Sequence, residues 1–124
     1  MRNDGQRRQN CKIIEGNGYC KSYHPNGELS SIYFYNDSVK NGPYCRFYID
    51  GNIESKGTYK NGLLSGKRIT FNVNGDTSSV FEFVNGEIVS QIVYKNDVPV
   101  VKSNYNYKKD TIYNADGSVR VIDW

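Results

Sequence analysis

The sequence predicts an all-β protein in which tandem antiparallel β-hairpins meander along the chain and form a single elongated sheet. Two observations lead to this fold class. Turn-forming and aromatic residues recur every 24 positions, and the segments between the turns alternate in polarity as half-buried strands do. Asparagine, glycine and β-branched residues interrupt every window long enough for a helix, so we expect no helix of useful length.

Four columns of equivalent residues define the repeat. Their members lie 24 residues apart and are Gly18, Gly42 and Gly66; Gly27, Gly51 and Gly75; Tyr23, Phe47 and Phe71; and Tyr35, Tyr59 and Phe83. The second glycine column lies in Asn-Gly and Asp-Gly pairs, whose tolerance of positive φ suits tight hairpin turns. A second turn closes each unit, at Asn36 and Asp37, Asn61 and Gly62, and Asn85 and Gly86. Each unit is therefore predicted to be a hairpin that leads into the next.

The N-terminal segment departs from the repeat. Residues 1–12 are polar and carry three arginines, and we interpret them as a flexible tail in preference to a binding arm. A single repeat domain is expected over residues 13–124.

The C-terminal segment is a degenerate version of the repeat. The repeats are clear over residues 18–90 and blurred over residues 91–124, where residues 113–119 echo residues 23–29 at an offset of 90 instead of 96. Because terminal repeats must close a stack, we expect a cap whose apolar side chains are Val119, Val121 and Trp124.

Alternation along the predicted strands divides the side chains between two faces. We expect a buried face made of Leu29, Tyr33, Tyr35, Cys45, Phe47, Ile49, Ile53, Tyr59, Ile69, Phe71, Val73, Phe81 and Phe83. The other face is mixed, and is interpreted either as a solvated surface or as a partner-binding patch, because tyrosine and arginine carry much of the energy of interfaces. The patch residues are Phe34, Tyr44, Arg46, Tyr48 and Arg68.

Composition and charge favour one intracellular domain. The net charge of +3 gives a weak field that does not predict nucleic-acid binding. Cys11, Cys20 and Cys45 are odd in number and lack metal-site spacing, so we expect reduced thiols. No apolar run has the length of a signal peptide or a membrane span, which favours a soluble, cytoplasmic protein, or a virion protein if the source is viral.

No catalytic, cofactor-binding or metal-binding residues are predicted. His24 is the only histidine and lies in a Pro-Asn-Gly turn, where it has no partners for a triad. No glycine-rich stretch leads from a strand into a helix, as phosphate-binding loops require. Carboxylates such as Glu54, Asp76 and Glu82 fall at exposed positions. We therefore expect neither enzymatic activity nor a cofactor.

Two segments resemble the MORN-repeat variant family. Residues 23–29 show the pattern Tyr-x-Pro-Asn-Gly-x-Leu, and residues 57–67 read Gly-Thr-Tyr-Lys-Asn-Gly-Leu-Leu-Ser-Gly-Lys. The resemblance implies a single elongated, twisted sheet of tandem hairpins, often paired with another chain. It also implies an antitoxin or immunity role in bacterial members, and protein or phospholipid binding in ordinary MORN repeats.

Two functions are compatible with these features. The first is a module that binds another protein, such as a toxin that an antitoxin or immunity protein would occlude. The second is a structural subunit of a viral particle or a cell-envelope complex, whose partner is a copy of itself. Peripheral membrane binding is a weaker alternative, because the basic residues alternate with acids. Specific nucleic-acid binding is also a weaker alternative, because the tyrosines follow the 24-residue repeat and are explained first by packing in the sheet.

Overall fold

Residues 9–124 form one antiparallel sheet of 13 strands without a helix in the computed structural model, which describes that part of the chain. The all-β prediction is confirmed. The strands are β1 (Gln9–Ile14), β2 (Asn17–Tyr23), β3 (Leu29–Asn36), β4 (Val39–Lys40), β5 (Gly42–Phe47), β6 (Ile53–Lys60), β7 (Leu63–Leu64), β8 (Gly66–Phe71), β9 (Thr77–Val84), β10 (Glu87–Lys95), β11 (Val98–Asn104), β12 (Lys109–Tyr113) and β13 (Val119–Asp123).

The strands cross the sheet in chain order, as the meander requires. Two of them, β4 and β7, have two residues each and pair only with β3 and β6. The sheet begins at Gln9, within the segment expected to be a tail. The other expected tail residues, 1–8, lie outside the described residues.

One row of turns lies at the tips of the hairpins. These tip turns cover residues 24–28, 48–52, 72–76 and 114–118, and in each the glycine N–H donates to the carbonyl three residues earlier. The glycine φ values are positive, between 89° and 96°, at Gly27, Gly51, Gly75 and Gly117. The fourth tip turn confirms the predicted similarity of residues 113–119 to residues 23–29.

A second row of turns joins successive hairpins. The linker turns at residues 15–16, 37–38, 61–62 and 85–86 each have two central residues with positive φ, as in Asn61 (52°) and Gly62 (86°). The turn expected at Asn36 and Asp37 lies one residue later, at Asp37 and Ser38. That prediction was wrong by one position because Asn36 still pairs with Val39 and ends β3.

The register corrects the expected division of side chains between faces. Over most of the first three hairpins, each cross-strand pair joins an even-numbered residue with an odd-numbered one, for example Tyr44 with Gly57 and Arg46 with Ser55. Opposed residues share a face, whereas the expectation combined odd-numbered residues from both strands of a hairpin. A skipped residue in β3, β6 and β9 shifts the register near the first three tip turns.

The face that holds most of the tyrosines contains the buried core. This tyrosine face carries Tyr33, Tyr44, Arg46, Ser55, Tyr59, Arg68, Phe81 and Phe83. The opposite, lysine face carries Ile32, Phe34, Cys45, Lys56, Lys67, Ile69 and Val80. Cys45 and Ile69 were therefore assigned to the wrong face, and so was Tyr44, which was expected on the mixed face but lies in the core. Two further residues expected to be buried, Ile49 and Val73, lie exposed in tip turns.

Aromatic stacking on one side of a single sheet forms the core. The Tyr33 and Tyr44 rings stack with centroids 5.3 Å apart, and the Tyr59 centroid lies 5.5 Å from that of Tyr44. Tyr44 and Phe83 are each 6% exposed. Three serines 24 residues apart are equally buried, namely Ser31, Ser55 and Ser79. The core is one side chain thick, so small residues must alternate with rings to let the rings lie flat.

The cysteines depart from the expectation of reduced thiols. Cys11 and Cys20 face each other directly across β1 and β2 and form a disulfide. The expectation weighed cysteine number and spacing, but it did not include the strand register that places these two side chains opposite each other. Cys45 is a free thiol.

Candidate functional site

The structure gathers four of the five predicted patch residues and separates the fifth. Arg46, Tyr48 and Arg68 line one recess on the tyrosine face, and Tyr44 lies beside it, with its ring directly over Gly57. Phe34 lies on the lysine face. The arginine recess has a volume of about 290 Å³ and is lined by Arg46, Tyr48, Glu54, Ser55, Arg68, Thr70, Phe71, Asn72 and Ser78.

Small residues on β6 create this recess. Ser55 pairs with Arg46 on one side and with Thr70 on the other, so a short side chain lies between longer ones. Ser55 is 3% exposed and forms the floor. The Tyr44 hydroxyl donates a long hydrogen bond of 3.5 Å to Ser55 Oγ. Sequence reasoning missed this floor, although the 24-residue spacing of the three serines was a signal for it.

Arg46 is held on the recess wall by two long hydrogen bonds. Its Nη1 donates to the Tyr33 hydroxyl at 3.3 Å, and its Nε donates to Glu54 Oε1 at 3.4 Å. The bond to Tyr33, aided by Glu54 and opposed by desolvation, raises the pKa of Arg46, which stays charged. Because the Arg46 and Glu54 side chains are 47% and 43% exposed, solvent weakens their ion pair.

Arg68 contributes a donor without a partner. Its guanidinium carbon lies 5.6 Å from the centre of the Phe81 ring, within the range of a cation–π contact. Its Nε is buried and has no hydrogen-bond partner among residues 9–124. Buried donors are nearly always paired, so an acceptor from outside residues 9–124 would stabilise this atom.

Hydrogen bonds between successive tip turns stabilise the end of the recess. The Tyr48 hydroxyl donates to the Phe71 carbonyl at 2.6 Å. The equivalent residue of the preceding hairpin, His24, donates from Nε2 to the Phe47 carbonyl at 2.8 Å. Tyr48 and His24 therefore link neighbouring hairpins, and His24 has a structural role.

The lysine face has an apolar groove of about 390 Å³. It is lined by Ile32, Phe34, Pro43, Tyr44, Cys45, Lys56, Gly57, Thr58, Lys67 and Ile69. Burial is the main cause that raises the pKa of the Cys45 thiol, so this sulfur stays protonated at neutral pH. Apart from Lys56 and Lys67, the side chains that line the groove are mostly apolar, so it is suited to apolar contact.

Residues 9–124 contain neither a cluster of metal ligands nor a membrane-spanning helix. No group of three or more His, Cys, Asp or Glu side chains in that part of the chain could hold a metal ion. Nor does it contain a helix long and apolar enough to cross a membrane.

A family model matches two consecutive segments of the sequence. Residues 17–37 and 40–61 each match the MORN repeat variant. These two segments are tandem MORN repeats. They comprise the β2–β3 hairpin and the β5–β6 hairpin with its linker turn, so Arg46, Tyr48 and Ser55 belong to the second MORN repeat. MORN repeats are in general non-catalytic modules that interact with proteins or membranes.

Other comparisons add little to the MORN assignment. No curated protein matches the sequence. Among solved structures, a chain described as "Crystal structure of GtfA/B complex bound to UDP and GlcNAc" aligns at 9% identity with a TM-score of 0.35. The alignment covers 93% of the MORN-repeat chain and 24% of the other, so the present chain spans about a quarter of that protein's length. A likeness this weak supports no argument about function.

Proposed function

We propose that the chain is a non-enzymatic protein–protein interaction module that binds a partner protein through the tyrosine face. The observation that carries this proposal is the arginine recess, where Arg46, Tyr48 and Arg68 converge beside the buried ring of Tyr44. Tyrosine and arginine are enriched among the residues that dominate binding energy. The recess gives them a concave surface on which a partner side chain is desolvated.

The single-layer architecture supports the same proposal. Neither face is covered by a helix or a second sheet within residues 9–124. Phe34 on the lysine face is 38% exposed and lines the apolar groove. A partner that wraps around the sheet would bury both surfaces, and an antitoxin or immunity protein that occludes a toxin is the most concrete form of such binding.

A second candidate function, a structural subunit that pairs with copies of itself, is favoured by the outer strand β13. All five residues of β13 are exposed, including Val119 at 57% and Val121 at 56%, and Trp124 beyond it is 58% exposed. An apolar edge strand of this kind is able to pair with a strand of another chain.

The binding proposal is tested by capture followed by reconstitution. A protein retained from a source lysate by the immobilised chain would be purified and titrated calorimetrically against the wild type, Arg46→Ala and Arg120→Ala. Arg120 is an exposed arginine on β13 and provides the matched control. We expect Arg46→Ala to weaken binding roughly tenfold or more and Arg120→Ala to leave it unchanged. Equal affinity of all three proteins would contradict the use of this face.

A further inference from the structure

We infer that the arginine recess binds a carboxylate side chain of the partner, an Asp or Glu in an acidic segment, through the guanidinium group of Arg68. This inference rests on the proposed function, since it requires the partner to be a protein. It specifies which chemical group of the partner is recognised and which residue of this protein binds that group.

The unpaired donor of Arg68 is the first argument. Within the described part of the chain its Nε is buried without a hydrogen-bond partner, and a buried unpaired donor costs free energy that a bound acceptor recovers. The Phe81 ring lies 5.6 Å from the guanidinium carbon and contacts that group through a ring face. A guanidinium group presents its donors in one plane, and a carboxylate that approaches in that plane accepts hydrogen bonds from two of them at once.

Charge balance in the recess is the second argument. The lining includes two positive side chains, Arg46 and Arg68, and one negative side chain, Glu54. Glu54 already pairs with Arg46 at 3.4 Å, so the recess retains one unneutralised positive charge, that of Arg68. One carboxylate from outside neutralises that charge, and the Arg46–Glu54 pair shows that this surface accommodates such a contact.

The shape of the recess favours a protein side chain over a lipid surface. The floor at Ser55 is 3% exposed and the volume is about 290 Å³, so an occupant must project inward. A bilayer contacts groups that protrude together, and on this protein exposed lysines such as Lys56 and Lys67 protrude from the opposite face. A carboxylate at the end of an extended side chain fits the recess better.

The test follows Arg68 directly by NMR. The Nε–Hε resonance of Arg68 would be monitored in ¹⁵N-labelled protein during titration with an acetylated, amidated hexaglutamate peptide. Hexaglutamine provides the uncharged match, and inorganic phosphate and phosphatidylserine vesicles are titrated separately. We expect a saturable shift of this resonance with hexaglutamate and none with hexaglutamine.

Variants separate recognition by the guanidinium from simple charge attraction. Arg68→Lys keeps the charge but loses the planar pair of donors, so hexaglutamate affinity, read from the Ser55 and Thr70 amides, should fall roughly tenfold. Arg120→Lys makes the same change on an exposed arginine of β13 and should have no effect. Circular dichroism would show whether both variants fold. The wild-type titration tests the carboxylate site even if they do not.

The outcomes distinguish this inference from the proposed function. Absence of a shift with hexaglutamate, equal shifts with hexaglutamine, or a response only to phosphate or vesicles overturns the carboxylate site. If a purified partner binds wild type and Arg68→Lys equally, the protein-binding function stands and the carboxylate site fails. If hexaglutamate binds as expected while no protein partner exists, the proposed function fails and the anion site remains.

Discussion

Packing at single residues determines where the core lies, and Gly57 shows this most clearly. A Cβ atom at this position would lie 2.8 Å from Cε2 of Tyr44. The Tyr44 ring is itself held between Tyr33 and Tyr59, at centroid distances of 5.3 Å and 5.5 Å. Glycine is therefore required here by the flat packing of the neighbouring ring, and the ring cannot move aside cheaply.

Replacing Gly57 by alanine should destabilise the protein by about 1–3 kcal/mol, because the added methyl group overpacks the Tyr44 ring. The measurement is the free energy of unfolding in urea. Thr58→Ala, at an exposed neighbouring position, is the control and should change little. A double variant that also carries Tyr44→Ala should show no further penalty from Gly57→Ala, and full additivity would contradict the proposed packing.

The free thiol gives a prediction about pH. Burial raises the pKa of Cys45, so folding favours the protonated thiol. This contribution to stability is complete below the ordinary thiol pKa and is lost as the pH rises through the raised value. We expect the rate of Cys45 alkylation by iodoacetamide, followed by mass spectrometry from about pH 7 to about pH 10, to rise at a higher pH in folded than in urea-unfolded protein. Coincident profiles would refute the burial of this sulfur.

At the scale of elements, turn chemistry was predictable and strand register was not. The glycines of the tip turns were located from their spacing, and all have positive φ. The face assignment failed because it depends on which residues of two strands are opposed. That pairing is fixed by the linker turns and by one skipped residue in each second strand, Glu54 in β6 being an example. Neither feature leaves an obvious mark in the polarity of a single strand.

The tip turns can be tested at Gly51, whose φ is 95° and whose added Cβ would meet nothing within 4 Å. Gly51→Val should therefore destabilise through backbone conformation alone, by about 1–2 kcal/mol. Gly51→Asn should cost less, since asparagine tolerates positive φ better. Urea unfolding of the two variants provides the comparison, and equal stability of valine and glycine at this position would show that the turn is not formed.

The links between hairpins can be tested at Tyr48. Removing its hydroxyl with Tyr48→Phe abolishes the 2.6 Å hydrogen bond to the Phe71 carbonyl in a half-buried position. We expect a loss of about 1 kcal/mol in the free energy of unfolding. Tyr107→Phe alters a tyrosine that is 73% exposed and should be neutral. The same small effect from both variants would indicate that the contact between tip turns contributes nothing.

At the scale of the whole molecule, the repeat predicted the meander and the family but not the details of the candidate site. Equivalent residues 24 apart identified hairpins in order along one sheet. The arginine recess depends instead on differences between repeats, because Arg46 and Arg68 lie at non-equivalent positions on neighbouring hairpins. The Cys11–Cys20 disulfide likewise depends on strand pairing at one end of the sheet.

The central claim, that this sheet is a module for binding another protein, is tested most directly by the mass of the purified protein in solution. Light scattering should give a mass near the 14.2 kDa of one chain for the protein alone. After addition of the purified partner it should give the sum of the two masses. A polymer that grows with concentration and contains no foreign protein would contradict the account and favour the structural-subunit function, with β13 as the first surface to alter.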